Sequence, residues 1–247
     1  MSRTKVSRRA FNRLVSFAAL GAVLAPWFRA AFAQTPTSNP LRIGFIGAGR
    51  MGGAVGLRLA EAGHEVFFSS RNPGELTALV EQSGGRARAG TPQEAAEFGD
   101  VVVIAVPYGA LPEVAAAYGP LMQGKVVIDL GNPREDRDGP MARDALAKGT
   151  GVASAEYLPG VRLVRAFNAI SFVMVREQAH REGEQIGVPV AGDDPEAVEI
   201  AAQLVRDAGF DPVVVGALSS ARLFDAGTSV YVRGMTAREL EEALGLD

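Results

Sequence analysis

The sequence contains no cysteine. This excludes disulfides, cysteine metal sites and a thiol nucleophile, and it fits an oxidising compartment without requiring one. The only histidines are His64 and His180, which excludes a histidine-rich metal centre. Lysine is scarce as well, at Lys5, Lys125 and Lys148. Neither sign of charge dominates: 25 basic and 28 acidic residues leave a net charge of −3. With no basic patch, nucleic acid is excluded as a partner. The apolar run Leu14–Ala25 is too short to span a bilayer comfortably as a permanent helix.

What the chain does have begins with Leu41–Asn72, around which the rest is organised. Ile43–Ile46 is an apolar run of strand length. It is followed by Gly47-Ala48-Gly49-Arg50-Met51-Gly52, a G-x-G-x-x-G. Met51, Val55, Leu59 and Ala62 then fall on one helical face, Gly63-His64 stops the helix, and Glu65–Ser69 reads as a second strand. Strand, glycines, helix and strand in that order are the context of a dinucleotide fingerprint. Gly47 permits a tight turn, Gly49 leaves the backbone open to a pyrophosphate, and Gly52 lets the helix pack on its strand. The helix N-terminus offers free N–H groups to the anion. An NAD site usually has an acid at the end of the second strand to hold the ribose 2′-hydroxyl. Here the chain reads Ser69-Ser70-Arg71-Asn72. A hydroxyl and an arginine suit a 2′-phosphate, so NADP(H) is the expected cofactor. Asn72 before Pro73 also reads as the cap of a helix.

Ahead of this core, Ser7-Arg8-Arg9-Ala10-Phe11 is a twin-arginine pattern, followed by the apolar run and by Ala31-Phe32-Ala33, an A-x-A cleavage site. The expected organisation is a signal peptide over residues 1–33, a linker over 34–40, and a nucleotide-binding domain with a small C-terminal extension over 41–247. The expected location is the periplasm, with no membrane span after cleavage.

Strand and helix patterns alternate after the fingerprint. Strands are expected at Arg86–Ala89, Asp100–Val106, Lys125–Leu130, Val161–Phe167, Val188–Ala191 and Pro212–Val215. Thr91-Pro92-Gln93-Glu94 and Thr236-Ala237-Arg238-Glu239 are capping boxes, and Asp194 before Pro195 is a third helix opening. Arg134–Pro140 reads as a charged loop. The alternation predicts an α/β fold: a doubly wound, Rossmann-type, mostly parallel sheet in the order 3-2-1-4-5-6, with later strands added beyond. Helices cover both faces, and a short helical appendage ends the chain. The loops after strands one, four, five and six should then share one crevice. Val106, Pro107 and Tyr108 lie where the nicotinamide half must run. Asn132 and Asn168 are amides suited to its carboxamide or to an acceptor, though each also fits a plain turn or strand end. Asp129 reads as a partner for loop N–H groups.

These residues resemble the NADPH:coenzyme F420 oxidoreductases and their bacterial relatives over Leu41–Asp225. The resemblance rests on IGAGRMG, on Ser70-Arg71, on AVPY ending at Tyr108, on VPVAGDD from Val188, and on GALSSARL from Gly216. Lys125–Asn132 and Val161–Ile170 also resemble the cytosolic domain of the six-transmembrane metalloreductases. The resemblance implies nucleotide contacts at Ala48, Gly49, Arg50, Met51, Ser70, Arg71, Val106 and Tyr108. It also implies hydride transfer from NADPH to a stacked flavin or F420-like deazaflavin.

The expected function is therefore an NADP(H)-dependent oxidoreductase acting on a small-molecule electron acceptor, with no assigned catalytic side chain and no metal. A homodimer is compatible with this reading. Two alternatives stand beside it: a non-catalytic NADP-binding module that docks on a membrane reductase, and an imine or hydroxyacid reductase. A hydroxyacid enzyme of this type needs a catalytic lysine in a helical C-terminal domain, for which the chain leaves little room.

Overall fold

Consecutive valines and isoleucines in the central strands leave no polar face, so both sides must be covered. The computed structural model describes residues 40–246 and shows how this is met. Its strands are β1 (Arg42–Ile46), β2 (Glu65–Ser69), β3 (Ala87–Gly90), β4 (Val101–Ile104), β5 (Val126–Asp129), β6 (Arg162–Arg165), β7 (Gly187–Gly192) and β8 (Asp211–Gly216). They form one sheet in the order β3-β2-β1-β4-β5-β6-β7-β8, the expected order with the later strands added beyond β6. The twin-arginine pattern and the linker up to Asn39 lie outside the described residues.

The helices are α1 (Arg50–Ala62), α2 (Thr77–Gln82), α3 (Pro92–Phe98), α4 (Leu111–Met122), α5 (Glu135–Asp138), α6 (Pro140–Lys148), α7 (Thr150–Tyr157), α8 (Phe172–Glu177), α9 (Pro195–Asp207) and α10 (Ala237–Leu244). Alternate strand residues feed two cores. Phe45, Val103 and Ile128 pack with Val55 and Leu59 of α1 and Ala201 of α9 on one face. Ile46, Val102 and Ile104 pack with Ala96 of α3 and Val114 of α4 on the other. At the first face, Gly56 leaves room for the Phe68 ring, so α1 sits close to the sheet. Both capping boxes form, and Asp194 caps α9 by accepting from Ala197 N–H at 2.9 Å.

Two expectations are corrected. Asn72 caps nothing with its side chain. Pro73–Leu76 is a 3₁₀ turn, and the Asn72 amide instead donates to Glu75 Oε1 at 3.3 Å. The charged stretch at Arg134–Pro140 is partly helical, because Asp138 accepts from Arg134 N–H at 2.9 Å and closes the turn of α5. The sheet is mostly parallel, as expected; at its far end β7 runs antiparallel to β6, and only Val164–Arg165 pairs with Ala191–Gly192. By that register the remainder of β7 continues past the rim where the parallel strands end. With β8 and α10 it forms a side wall with its own small core of Ala191, Val213, Phe224 and Leu240.

Candidate active site

Sheet register places the functional loops together. Ser69 pairs with Ile46, Ile46 with Ile104, Ile104 with Asp129, and Asp129 with Arg165. These residues form one row across the C-terminal rim, so the loops carrying Gly47, Val106, Asn132 and Asn168 all leave from the same edge. Open α/β sheets hold their ligands at this edge, at the switch between the first and fourth strands.

Each glycine of the fingerprint has a distinct steric reason. Gly47 has φ +96, and a side chain there would meet the Ala105 carbonyl oxygen at 2.7 Å. At Gly52 a Cβ would press on the Gly47 carbonyl and lie 2.9 Å from Ala105 Cβ. At Gly49 nothing lies within 4 Å of such an atom. Gly49 is thus the position whose missing side chain keeps space open beside the backbone. It is also the N-cap of α1. The first intrahelical bond runs from Gly53 N–H to the Gly49 carbonyl at 2.8 Å, which leaves the preceding N–H groups for an anion. Arg50 is exposed at this opening, with Ala48 and Met51 half-buried beside it. The cradle fits a dinucleotide pyrophosphate.

At the end of β2, Ser70 Oγ accepts from Asn72 N–H at 2.8 Å, so its own proton remains free to donate. Arg71 and Asn72 are exposed. This pocket end offers a hydroxyl and a guanidinium, the chemistry a 2′-phosphate requires.

The other half of the crevice is built on a buried polar network. Arg165 is fully buried and pairs with Asp129 at 2.9 Å and Asp225 at 3.5 Å. It also donates to the carbonyls of Asp129 and Gly131, at 3.0 and 2.7 Å. Asp129 accepts from Gly131 N–H and Ser154 Oγ, as the expected loop anchor and more. Above this floor, Asn132 Nδ2 donates to the Asn168 carbonyl at 2.9 Å, and Asn168 Nδ2 donates to the Phe224 carbonyl at 3.3 Å. Asn168 Oδ1 is buried without a partner, while Phe167 before it is held at φ +59. Val106 and Pro107 line the rim between these amides and the glycine turn; Val106 Cγ1 would lie 2.9 Å from a Cβ at Gly47.

Tyr108 is placed differently from the other candidates. It lies in the core beneath the sheet, with its hydroxyl 3.4 Å from Ser154 Oγ. Burial pushes that hydroxyl up to about 12. Its side chain therefore faces away from the crevice, and what it offers a ligand there is backbone. His64 is structural: its Nδ1 accepts from Leu41 N–H, and its Nε2 bonds Asp207 at 3.0 Å. No cluster of His, Asp or Glu among the described residues could hold a metal ion. No described helix is long and apolar enough to cross a membrane. The sequence reading missed Arg165, Tyr231 and Phe172. Tyr231 brings its hydroxyl within 3.5 Å of Asn132 Nδ2 from far along the chain, a contact with no local signal.

Comparison with known proteins agrees with this geometry. The family model for coenzyme F420-dependent NADP oxidoreductases matches residues 42–133, from β1 to the loop after β5. Metalloreductase STEAP3 of Rattus norvegicus is 29% identical over 203 residues, but the chain spans only 38% of that protein's length. A hypothetical protein from Sinorhizobium meliloti shares the fold, with a TM-score of 0.71, 23% identity, and coverage of 79% of this chain and 95% of that one. The F420-dependent NADP reductase of Methanothermobacter thermautotrophicus is 30% identical over 199 residues, which cover 75% of this chain and 85% of the relative. A match of that extent, over a rim whose glycines and Ser70-Arg71 fit the nucleotide, places the chain in the F420-dependent NADP oxidoreductase family, as an NADP-dependent oxidoreductase.

Proposed function

We propose that the enzyme passes hydride between NADPH and a flat acceptor stacked on it, a flavin or an F420-like deazaflavin. The observation that carries this reading is that, among the described residues, no carboxylate, histidine or lysine stands poised on the acceptor side, where the Tyr231 hydroxyl sits against the Asn132 amide. Asn132 and Asn168 are neutral amides, Tyr108 is turned into the core, and Asp129 is locked to Arg165. Reduction of an imine or a ketone would need a proton delivered as hydride arrives. Transfer between two stacked rings needs chiefly position. Bound NADPH supplies the hydride; the protein supplies the orientation. The α1 N-terminus and Gly49 would hold the pyrophosphate, and Ser70 and Arg71 the 2′-phosphate. The rim at Val106 and Pro107 would border the nicotinamide, with Asn132 and Asn168 fixing its carboxamide or the acceptor ring.

The test is anaerobic NADPH oxidation with FMN, F420, a cyclic imine and a 2-oxoacid as separate acceptors. Turnover of a flavin or F420 is expected. Turnover confined to the imine or oxoacid would overturn the reading. The likeness to part of a metalloreductase favours a second reading, in which the domain docks on a membrane reductase and binds NADP without using free acceptors. Tight NADPH binding with no turnover of any free acceptor would support it. The twin-arginine pattern supports the further proposal that the mature protein works in the periplasm.

A further inference from the structure

Most arginines on the surface have a carboxylate beside them, as at Arg42, Arg134, Arg162, Arg206 and Arg238. Arg50 and Arg176 are among those that do not: within the described residues, neither has a carboxylate partner, and they differ from the rest in sharing one ring. Both sit against one aromatic ring instead. Arg50 Cζ lies 5.1 Å from the centroid of Phe172, and Arg176 Cζ lies 5.8 Å from it. Phe172 is half-buried and packed on the main core, so the ring is a fixed platform while both guanidinium groups stay exposed. Attraction to the ring face holds each cation in place. It does not neutralise them, and two like charges on one ring favour an anion between or beside them.

The position of this group in the fold indicates which anion. Arg50 opens α1 next to Gly49, so it faces the nucleotide pyrophosphate. Phe172 and Arg176 belong to α8, which directly follows the Asn168 loop and packs on α1. The group therefore stands where the pyrophosphate end of the crevice meets the acceptor side. We propose that Phe172 and Arg176 form a subsite for a phosphate-bearing chain on the acceptor, so that the protein prefers FMN to riboflavin. This rests on the reading of the acceptor as a flavin-type ring. The phosphates of NADP carry the same chemistry, so the experiment must separate the two.

FMN and riboflavin are titrated by flavin fluorescence into NADP-saturated protein, both unaltered and as Arg176→Ala, Arg176→Lys and Phe172→Leu. The same flavins are then used as acceptors for NADPH. The unaltered protein should bind FMN more tightly than riboflavin, and the preference should shrink as salt is added. Arg176→Ala should cut the FMN-to-riboflavin preference by about tenfold, the scale of one charge-assisted hydrogen bond. Arg176→Lys should keep part of it, and Phe172→Leu should weaken it by releasing the platform. NADP affinity should be unchanged in Arg176→Ala. Equal affinity for the two flavins, or a preference that survives Arg176→Ala, overturns the subsite. A tenfold loss of NADP affinity in that variant assigns the arginine to the nucleotide and overturns it too. If neither flavin binds or accepts electrons, the flavin reading itself fails, and the subsite falls with it.

Discussion

A single added methyl group separates the roles of two glycines in the fingerprint turn. At Gly49 it would meet nothing within 4 Å; at Gly52 it would press on the Gly47 carbonyl. Gly49→Val should therefore abolish nucleotide binding with the circular dichroism spectrum and melting temperature kept. Gly52→Val should lower stability itself, by about 1–3 kcal/mol or more, as overpacking does. If Gly49→Val unfolds the protein, the open space at that position has been misread. At the other end of the nucleotide, Arg71 is exposed and Ser70 has a proton to give. Arg71→Ala should weaken NADPH by about 1.5–3 kcal/mol, the range for a hydrogen bond to a charged group. NADH should be almost unaffected. Titrating both nucleotides into both proteins checks this, and an equal loss for NADH would remove the 2′-phosphate assignment.

Elements whose cause is local are legible in the sequence; those whose cause is distant are not. Thr91 and Thr236 announce their helices because each cap and its glutamate are three residues apart. The glycine turn and Asp194 are local in the same way. The direction of β7 is not, since nothing in Val188–Ala191 records which way its neighbour runs. Tyr108 and Arg165 were illegible as buried groups because their partners Ser154, Asp129 and Asp225 stand 46, 36 and 60 residues away. That burial gives Arg165 a large structural role. Removing it would strand Asp129 and Asp225 inside the fold, so Arg165→Leu should cost about 3–5 kcal/mol in urea unfolding. A loss below 1 kcal/mol would mean that the carboxylates find water or protons cheaply. The link between β6 and α9 makes a milder prediction. Asp194 accepts a bidentate pair from Arg162, at 2.7 and 2.8 Å, while capping α9. The Arg162 hydrogen bonds, with the cap, hold its carboxyl below the usual carboxylate range. A depressed carboxylate stabilises the fold above its unfolded pKa, and this contribution is lost as pH falls through and below that range. Asp194→Asn should therefore lower the melting temperature at neutral pH, and the gap to the unaltered protein should close under acid. A gap that is constant with pH would show that charge is not involved. The site is exposed, so added salt should narrow the gap as well.

At the scale of the whole molecule, the nucleotide fold and the proposed twin-arginine export impose a joint condition. Twin-arginine export generally carries proteins that are already folded, often with a cofactor in place. The periplasm is expected to hold no NADPH pool to refill an empty site. A noncovalent nucleotide should then be loaded in the cytoplasm and kept. Retention for hours needs a slow off-rate. At ordinary on-rates this means a dissociation constant at or below roughly nanomolar. The proposed contacts would anchor the ligand at three places: the open N-terminus of α1, the Ser70-Arg71 pair, and the amides of Asn132 and Asn168. Their contributions would act through one molecule, so releasing it requires breaking all of them together. NADP would then behave as a resident group, reduced and reoxidised in place by two successive substrates. The check is to purify the mature protein from periplasm, denature it, and assay the supernatant for NADP(H). About one nucleotide per chain is expected. An empty site, or micromolar binding in a refilled protein, would reject retention and leave an enzyme supplied with nucleotide by a partner, or a docking module.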